Sequence, residues 1–144
     1  MKVLYDTSVL VAGLVEAHPL HNRVFPWIKQ AVAREHKALI SAHSYAELYS
    51  VLTSLPVRPR IAPSAAWQII NGTITPSFEV VALTADQYKT AVQAMAAAGL
   101  SGGAVYDAVI VAAARAAKAD RLLTLNPADF KRIDPAFAAK VIEP

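Results

Sequence analysis

Residues 2–10 of the chain read KVLYDTSVL, an apolar run that ends on an acid and is followed by a small polar pair. The run at 2–5 is typical of a buried strand, and a helical pattern begins at Thr7. In an open parallel sheet, ligands bind just beyond the carboxyl ends of the strands. Asp6 therefore occupies a position at which such a sheet would bind a ligand.

Segments of these two kinds alternate along the rest of the chain. Strands are predicted at 38–40, 78–83, 121–125 and 140–142, and helices at 7–15, 21–36, 44–55, 63–70, 85–98 and 104–118. This alternation indicates βαβ units with right-handed crossovers. We predict an α/β fold, a three-layer α/β/α sandwich around a central, mainly parallel twisted sheet of four to five strands. Asn71-Gly72 is expected to end the helix that Pro63 opens.

The composition favours one ordinary globular domain. The chain has 144 residues, of which 55% are apolar, so we expect a single domain over 1–144 and exclude a disordered chain. The formal charge of +3 is too small to indicate nucleic-acid binding by itself. Because there is no cysteine, disulfides, thiolate catalysis and cysteine-based zinc sites are excluded, which fits the cytoplasm.

The sequence also argues against a targeting or membrane segment. Asp6 interrupts the apolar region of the opening residues, and Glu16 follows soon after, so a signal peptide is rejected. The longest apolar stretch, 104–117, carries Asp107 and Arg115 and is shorter than the roughly 18 uninterrupted residues that span a bilayer. We expect no membrane partner.

Three more acids, Glu47, Asp107 and Asp129, lie near the starts of later helical stretches. The predicted layout brings these helix starts and the strand end at Asp6 to one edge of the sheet. Clustered carboxylates repel each other and take up protons unless a cation lies between them. Mg²⁺ and Mn²⁺ prefer such oxygen ligands. The set therefore indicates a metal site suited to phosphodiester hydrolysis.

Three of these acids also have purely structural interpretations. Asp6 is placed to N-cap the helix that follows it. Glu47 has capping-box spacing from Ser44. Asp129 could occupy the third position of a short helix capped by Asn126. Asp107 is harder to explain in this way, because it lies one turn into an otherwise apolar helix, where a buried unpaired charge is costly.

Four short motifs resemble the signatures of the PIN domain, and most closely those of the VapC-type ribonuclease toxins of bacterial toxin–antitoxin pairs. The motifs are Asp6-Thr7-Ser8, Ala46-Glu47-Leu48, Tyr106-Asp107-Ala108 and the run LTLNPADF at 123–130. Each is short, but their order and separations match along nearly the whole chain. The run at 124–130 is the most distinctive of the four.

The resemblance implies roles for the acids and for nearby polar residues. The implied catalytic residues and metal ligands are Asp6, Glu47, Asp107 and Asp129, which would hold one or two Mg²⁺ or Mn²⁺ ions. Many relatives have an aspartate where Asn126 stands, so Asn126, Asp129 or both complete the metal site. The hydroxyls of Thr7, Ser8 and Thr124 would orient the carboxylates or a metal-bound water; capping or strand-end hydrogen bonding is the alternative role.

The function implied by the resemblance is a metal-dependent endoribonuclease, the toxin of a toxin–antitoxin pair. Its substrate would be single-stranded or loop RNA, cut by a metal-activated water to leave a 5′-phosphate. Its partners would be an antitoxin whose tail occupies the acidic cleft and a second copy of the chain in a homodimer. The alternative is a catalytically silent PIN-like module that binds RNA or protein.

Basic residues outside these motifs are candidates for contact with RNA or a partner. Arg58 and Arg60 lie on a proline-rich loop, and Arg115 lies two turns beyond Asp107 and could line the same cleft. A zinc site at His18 and His21 is not expected, because two histidines without a third ligand do not fill a tetrahedral site.

Overall fold

The computed structural model describes residues 1–144 and contains one parallel sheet. Its strands are β1 (Lys2–Tyr5), β2 (Lys37–Ser41), β3 (Glu79–Val81), β4 (Arg121–Leu123) and β5 (Val141–Ile142). They lie in the order β3-β2-β1-β4-β5, and every neighbouring pair is parallel. The predicted sheet of four to five strands is therefore confirmed.

Helices fill the connections between the strands. They are α1 (Thr7–Leu14), α2 (His21–Val32), α3 (His43–Ser54), α4 (Pro63–Ile69), α5 (Thr75–Ser77), α6 (Ala85–Ala97), α7 (Ala104–Ala116) and α8 (Pro127–Ile133). A π-helical turn, Ile70–Ile74, joins α4 to α5, and a 3₁₀ helix, Pro135–Lys140, leads into β5. None of these helices combines the length and the apolar character that a bilayer crossing requires.

Alternate side chains of β1 enter two separate hydrophobic cores. Val3 and Tyr5 pack with residues of α1 to α4 on one face of the sheet. Leu4 packs with residues of α7 and α8 on the other face. Because the period of a strand is two and both faces are covered, the strand is apolar throughout. The sheet thus lies between two helical layers, as the predicted three-layer sandwich requires.

The strand order reverses beside β1. The chain moves outward from β1 to β2 and β3, and then returns through α6 and α7 to place β4 on the other side of β1. In sheets of this kind the crevice at the reversal, beyond the carboxyl ends of the strands, is the usual ligand site. Here that crevice lies between the ends of β1 and β4.

The helix that begins at Pro63 continues beyond its predicted end at Asn71-Gly72. The backbone passes through these residues in the π-helical turn and remains helical to Ser77. Ile70 and Ile74 are fully buried in the first core on either side of them. Burial of these two side chains outweighs the weak helix propensity of asparagine and glycine, so the predicted end was wrong.

Candidate active site

The acids singled out in the sequence reach the same edge of the sheet from different elements. Asp6 directly follows β1, and Glu47 lies one turn into α3, which begins just after β2. Asp107 and Asp129 lie in the first turns of α7 and α8. Thr124 directly follows β4, which pairs with β1. These positions lie close together because the strands are parallel, so that their carboxyl ends are all at one edge of the sheet.

Asp6 is the most firmly held of the acids. Its side chain is 3% exposed, and its Oδ2 atom accepts hydrogen bonds from the hydroxyls of Ser8 at 2.6 Å and Thr124 at 2.8 Å. Although Asp6 occupies the N-cap position of α1, its side chain makes no capping hydrogen bond. The carboxylate is therefore held between Ser8 in the first turn of α1 and Thr124 at the end of β4.

The two hydroxyls that hold Asp6 are themselves held by backbone amides. The Leu125 amide donates to Ser8 Oγ at 3.2 Å, and the Asn126 amide donates to Thr124 Oγ1 at 3.0 Å. Each hydroxyl therefore donates to the carboxylate and accepts from the chain after β4. Thr7 is different, since its hydroxyl donates to Ser44 Oγ at 3.5 Å and contacts no acid.

Glu47 contacts a histidine one turn earlier in α3. The Oε2 atom of Glu47 lies 3.1 Å from Nε2 of His43, and both side chains are largely shielded from solvent. The N-cap residue of α3 is Ala42, without a side-chain cap, and the side chain of Ser44 is buried. The capping-box interpretation of Ser44 and Glu47 is therefore wrong, and the carboxylate is available to the site.

The pKa of Asp107 shows that the acids act on one another. It is raised to about 7, first because the carboxyl group is partly buried and then because of the negative charges of Asp6, Asp129 and Glu47. The guanidinium of Arg132 opposes this rise. Asp107 thus lies within electrostatic reach of the other three acids, where it remains partly protonated at neutral pH unless a cation compensates the charge.

Burial also raises the pKa of the Asp6 carboxyl group. The hydrogen bonds from Ser8 and Thr124 favour the ionised form and oppose this rise, whereas the negative charge of Glu47 adds to it. The carboxylate is therefore supplied with donors but not with a positive charge. An ion placed against it would supply what the protein lacks.

Asp129 and Asn126 lie at the outer margin of the site, and both are exposed. Oδ1 of Asp129 is 3.7 Å from Nη2 of Arg132, one turn later in α8. Asn126 occupies the N-cap position of α8 but makes no capping hydrogen bond with its side chain. Neither side chain is engaged in a capping hydrogen bond, so both residues remain candidates to complete the set of metal ligands.

The acids suit a hard divalent cation by their chemistry more than by their present spacing. Carboxylate oxygens are the ligands that Mg²⁺ and Mn²⁺ prefer, and the raised pKa of Asp107 reflects negative charge that a cation would relieve. However, no three of the acids and histidines lie close enough together to form a ready-made metal cluster. Binding would require the less constrained side chains, Glu47, Asp107 and Asp129, to turn towards Asp6.

The predicted basic contacts divide into two groups. Arg58 and Arg60 are exposed on the loop between α3 and α4. Arg115 is engaged by Asp134 through hydrogen bonds of 2.5 and 2.9 Å, and it lines a groove between α6 and α7 that contains none of the four acids. The prediction that Arg115 lines the acidic cleft is therefore wrong.

Three residues beside the acids were not assigned to the site from the sequence. His43 contacts Glu47, Arg132 acts on Asp107, and the ring of Tyr106 stacks on that of His43. Helical spacing could have revealed two of them, because His43 lies four residues before Glu47 and Arg132 lies three after Asp129. The stacked pair joins α3 to α7, and no local pattern signals such a contact.

Comparison with known proteins identifies a family and several relatives of the chain. The family model described as "PIN domain" matches residues 3–135. Ribonuclease VapC40 of Mycobacterium tuberculosis is 37% identical over 119 residues, which are 83% of this chain and 82% of that protein. Ribonuclease VapC27 of the same species is 32% identical over 115 residues, 80% of this chain and 78% of its own length.

A solved structure shares the fold. The crystal structure of VapBC2 from Rickettsia felis, bound to a DNA fragment from their promoter, contains a chain that superposes with a TM-score of 0.70. The match covers 100% of this chain and 99% of that one, at 20% sequence identity. At this identity the likeness establishes a common fold.

Proposed function

The chain belongs to the PIN domain family, and on that premise we propose that it is a metal-dependent endoribonuclease, the toxin component of a toxin–antitoxin pair. The relatives that share about a third of its residues over most of their length are named ribonucleases. Each of the four motifs that resemble the family signatures contains an acid, although asparagine stands at position 126, where many relatives have an aspartate. Those acids are what a hydrolytic activity would need.

The observation that best supports the proposal is the electrostatic state of Asp107. Burial and three neighbouring acids raise its pKa to about 7. A structural carboxylate is normally paired with a base or exposed to solvent, and this one is neither fully exposed nor neutralised. Strongly perturbed acids that collect at a sheet switch point are typical of catalytic sites.

The protein groups would divide the work between fixed and adjustable ligands. Asp6 is the fixed ligand, because Ser8 and Thr124 hold its Oδ2 atom and the surrounding core excludes water from it. Asp107 would release its proton when it becomes a ligand. A bound Mg²⁺ or Mn²⁺ would supply Lewis acidity, lowering the pKa of an attacking water and neutralising charge on the phosphate.

The remaining acids would complete the site from its margins. Glu47 is restrained by His43 at 3.1 Å, so it would have to give up or share that contact. Asp129 lies on an exposed helix start and Asn126 just before it, and either can supply an oxygen to the site. No side-chain nucleophile is required, because water attacks the phosphorus directly and leaves a 5′-phosphate on the product.

The proposal includes protein partners. An acidic crevice attracts a basic tail, so an antitoxin segment that carries lysine or arginine could occupy the site and inhibit it. A homodimer is proposed as well. Trp67 on α4 is 55% exposed and Trp27 on α2 is partly buried, so of these two tryptophans Trp67 is the better candidate for an interface. An RNA substrate and a chain without cysteine both suit the cytoplasm.

The test is a cleavage assay on a defined single-stranded RNA with Mg²⁺, with Mn²⁺ and with EDTA. We expect cleavage by the wild-type chain only with the divalent ions, and products that carry 5′-phosphates. Asp6→Asn and Asp107→Asn should abolish cleavage while circular dichroism shows a retained fold. Full activity in either variant would exclude that residue as a ligand. If the wild-type chain binds RNA but never cuts it, the catalytically silent module is the correct alternative.

A further inference from the structure

A stacked pair of aromatic rings, one of them half exposed, lies beside the acids. The ring of Tyr106, in the first turn of α7, lies parallel to the imidazole of His43 at the start of α3, with centroids 5.0 Å apart and planes 7° apart. Tyr106 immediately precedes Asp107 in the chain, and His43 contacts the carboxylate of Glu47. Two of the proposed ligands are therefore each adjacent to one ring of the pair.

Tyr106 is not placed as a core residue. It is 51% exposed and belongs to neither hydrophobic core. Its hydroxyl makes no hydrogen bond within the protein, whereas the hydroxyl of buried Tyr5 bonds both the Trp27 carbonyl and His36. Packing against the core does not account for the position of Tyr106, and about half of the residue is accessible to solvent.

The pair is held in a defined orientation. Nε2 of His43 lies 3.1 Å from Glu47 Oε2, and this contact restrains the imidazole on which the tyrosine rests. Each ring is attached near the start of a helix at the edge where the strands end. A half-exposed ring that is backed by a second, anchored ring is a rigid platform for stacking.

We propose that Tyr106, supported by His43, is a stacking platform for one nucleobase of single-stranded RNA, next to the phosphate to be cut. This inference rests on the proposed function and extends it. Bases of unpaired RNA stack readily on tyrosine and histidine rings. A nucleotide whose phosphate meets the acids has its base within one sugar of that phosphate, and the pair lies beside the acids. Tyr106 is thus a positioning residue and takes no part in bond breaking.

Stacking offers little discrimination between bases, but it requires that the base be unpaired. The platform would therefore select single-stranded or loop nucleotides over duplex RNA. Loss of one base–aromatic stack should weaken substrate binding by about 5- to 100-fold. Because the platform acts on binding, the change should appear in KM, with kcat altered little.

The first measurement follows stacking directly and does not depend on cleavage. Single-stranded RNAs of about eight nucleotides, each with 2-aminopurine at a different position, are bound to the Asp107→Asn variant in Mg²⁺. We expect quenching of 2-aminopurine fluorescence at one position. Adding Tyr106→Ala should abolish that quenching, and Tyr106→Phe should restore it because the aromatic face remains.

The second measurement compares steady-state cleavage by single variants of the otherwise wild-type chain. Tyr106→Ala should raise KM for the normal RNA. For the wild-type chain, an RNA with an abasic nucleotide at the stacked position should raise KM by the same factor. The Tyr106→Ala variant should have the same KM for both RNAs. Phe25→Ala is the matched control. Phe25 is 40% exposed and stacks on His21 at 4.9 Å, in a groove that none of the four acids lines.

The outcomes separate this inference from the proposed function. Quenching that does not depend on Tyr106, or equal effects of Tyr106→Ala and Phe25→Ala on KM, would overturn the platform even if RNA is cleaved. A Tyr106→Ala variant that binds RNA normally but fails to bind an antitoxin would also overturn it, in favour of a protein-binding role. Absence of cleavage by the wild-type chain contradicts the proposed function alone, because the fluorescence measurement still reports on stacking.

Discussion

The side chains of Asp6 and Thr124 are joined by a hydrogen bond of 2.8 Å although 118 residues separate them in the chain. The bond links the ends of β1 and β4, where the strand order reverses. Both side chains are buried, so the contact is shielded from water. The geometry of the site and the stability of the fold therefore depend on the same hydroxyl.

Thr124→Val tests this dependence, because valine keeps the shape of threonine and removes the hydroxyl. Asp6 would lose one of its two side-chain donors, and the Asn126 amide would lose its acceptor. We expect a loss of about 1–3 kcal/mol in the free energy of unfolding, measured in urea. RNA cleavage should fall by about 10- to 100-fold.

Thr53→Val is the matched control for that substitution. The hydroxyl of Thr53 bonds only to carbonyls of its own helix, those of Tyr49 and Ser50. Thr53→Val should change the free energy of unfolding little and leave the rate of RNA cleavage unchanged. If the two variants behaved alike, the hydrogen bond to Asp6 would have no special importance.

Asp107→Asn should alter how stability depends on pH. The pKa of Asp107 is about 7 in the folded chain against an ordinary value of 3.8. Between these values the folded state holds a proton that the unfolded state has released. The contribution of the protonated Asp107 to stability is fully present below about pH 4 and is lost as the pH rises through about 7. Asparagine cannot lose this proton, so the variant should keep its stability over that range.

We expect the variant to exceed the wild type by about 1 kcal/mol at pH 8 without divalent ions, a figure reduced for the partial exposure of the group. The corresponding difference in Tm is about 2–4 °C. Thermal unfolding in EDTA at a series of pH values from about 4 to 8 measures it. Asp86→Asn, in the first turn of α6, controls for removal of a carboxylate from a helix start. Parallel curves for wild type and Asp107→Asn would contradict the assignment.

Divalent ions should stabilise the chain, because they bind the folded state and relieve its clustered charge. At a concentration of about ten to a hundred times Kd, Mg²⁺ or Mn²⁺ should add about 1.4–2.7 kcal/mol to the free energy of unfolding. The gain should be larger at pH 8 than at pH 5, because the ligands must be deprotonated. Thermal melts with NaCl at matched ionic strength provide the reference. An equal gain in Asp6→Asn would exclude Asp6 from the binding site.

The sequence predicted the parts of this molecule that depend on local pattern. Strands buried on both faces leave continuous apolar runs, and the run at 2–5 matches β1 residue for residue. The helix predicted at 85–98 begins at Ala85, where Thr84 and Gln87 form both hydrogen bonds of a capping box. The acids could be picked out because each follows a strand or opens a helix.

What the sequence did not predict depends on contacts between distant elements. The partner of Arg115 is Asp134, 19 residues later, and nothing in the helical pattern of α7 points to it. The stack of Tyr106 on His43 exists because α3 and α7 begin at the same edge of the sheet, on its opposite faces. The distances among the acids likewise follow from side-chain orientations that a sequence does not contain.

Arg115 should prove to be structural. Its guanidinium forms two hydrogen bonds with Asp134 and lies 5.3 Å from the centroid of Phe137. Arg115→Gln should therefore lower the free energy of unfolding by about 0.5–1 kcal/mol, the range for partly exposed pairs, and leave the rate of RNA cleavage unchanged. Urea unfolding and initial cleavage rates measure the two effects. A large fall in cleavage with unaltered stability would return Arg115 to the list of RNA contacts.

Arg58 and Arg60 are the remaining candidates for contact with the RNA backbone, and they should affect binding through charge alone. They are exposed on a loop, and neither forms a salt bridge within the chain. If both arginines contact phosphates, the double variant Arg58→Gln/Arg60→Gln should have a plot of log binding constant against log salt concentration that is shallower by about 1.4, since each contact with a single strand contributes about 0.7.

The control is the double variant Lys29→Gln/Lys89→Gln, which removes the same charge from α2 and α6. Fluorescence anisotropy with labelled RNA at several NaCl concentrations measures the slope for each double variant. Equal slopes for the two double variants would mean that the loop contributes only to the general charge of the protein.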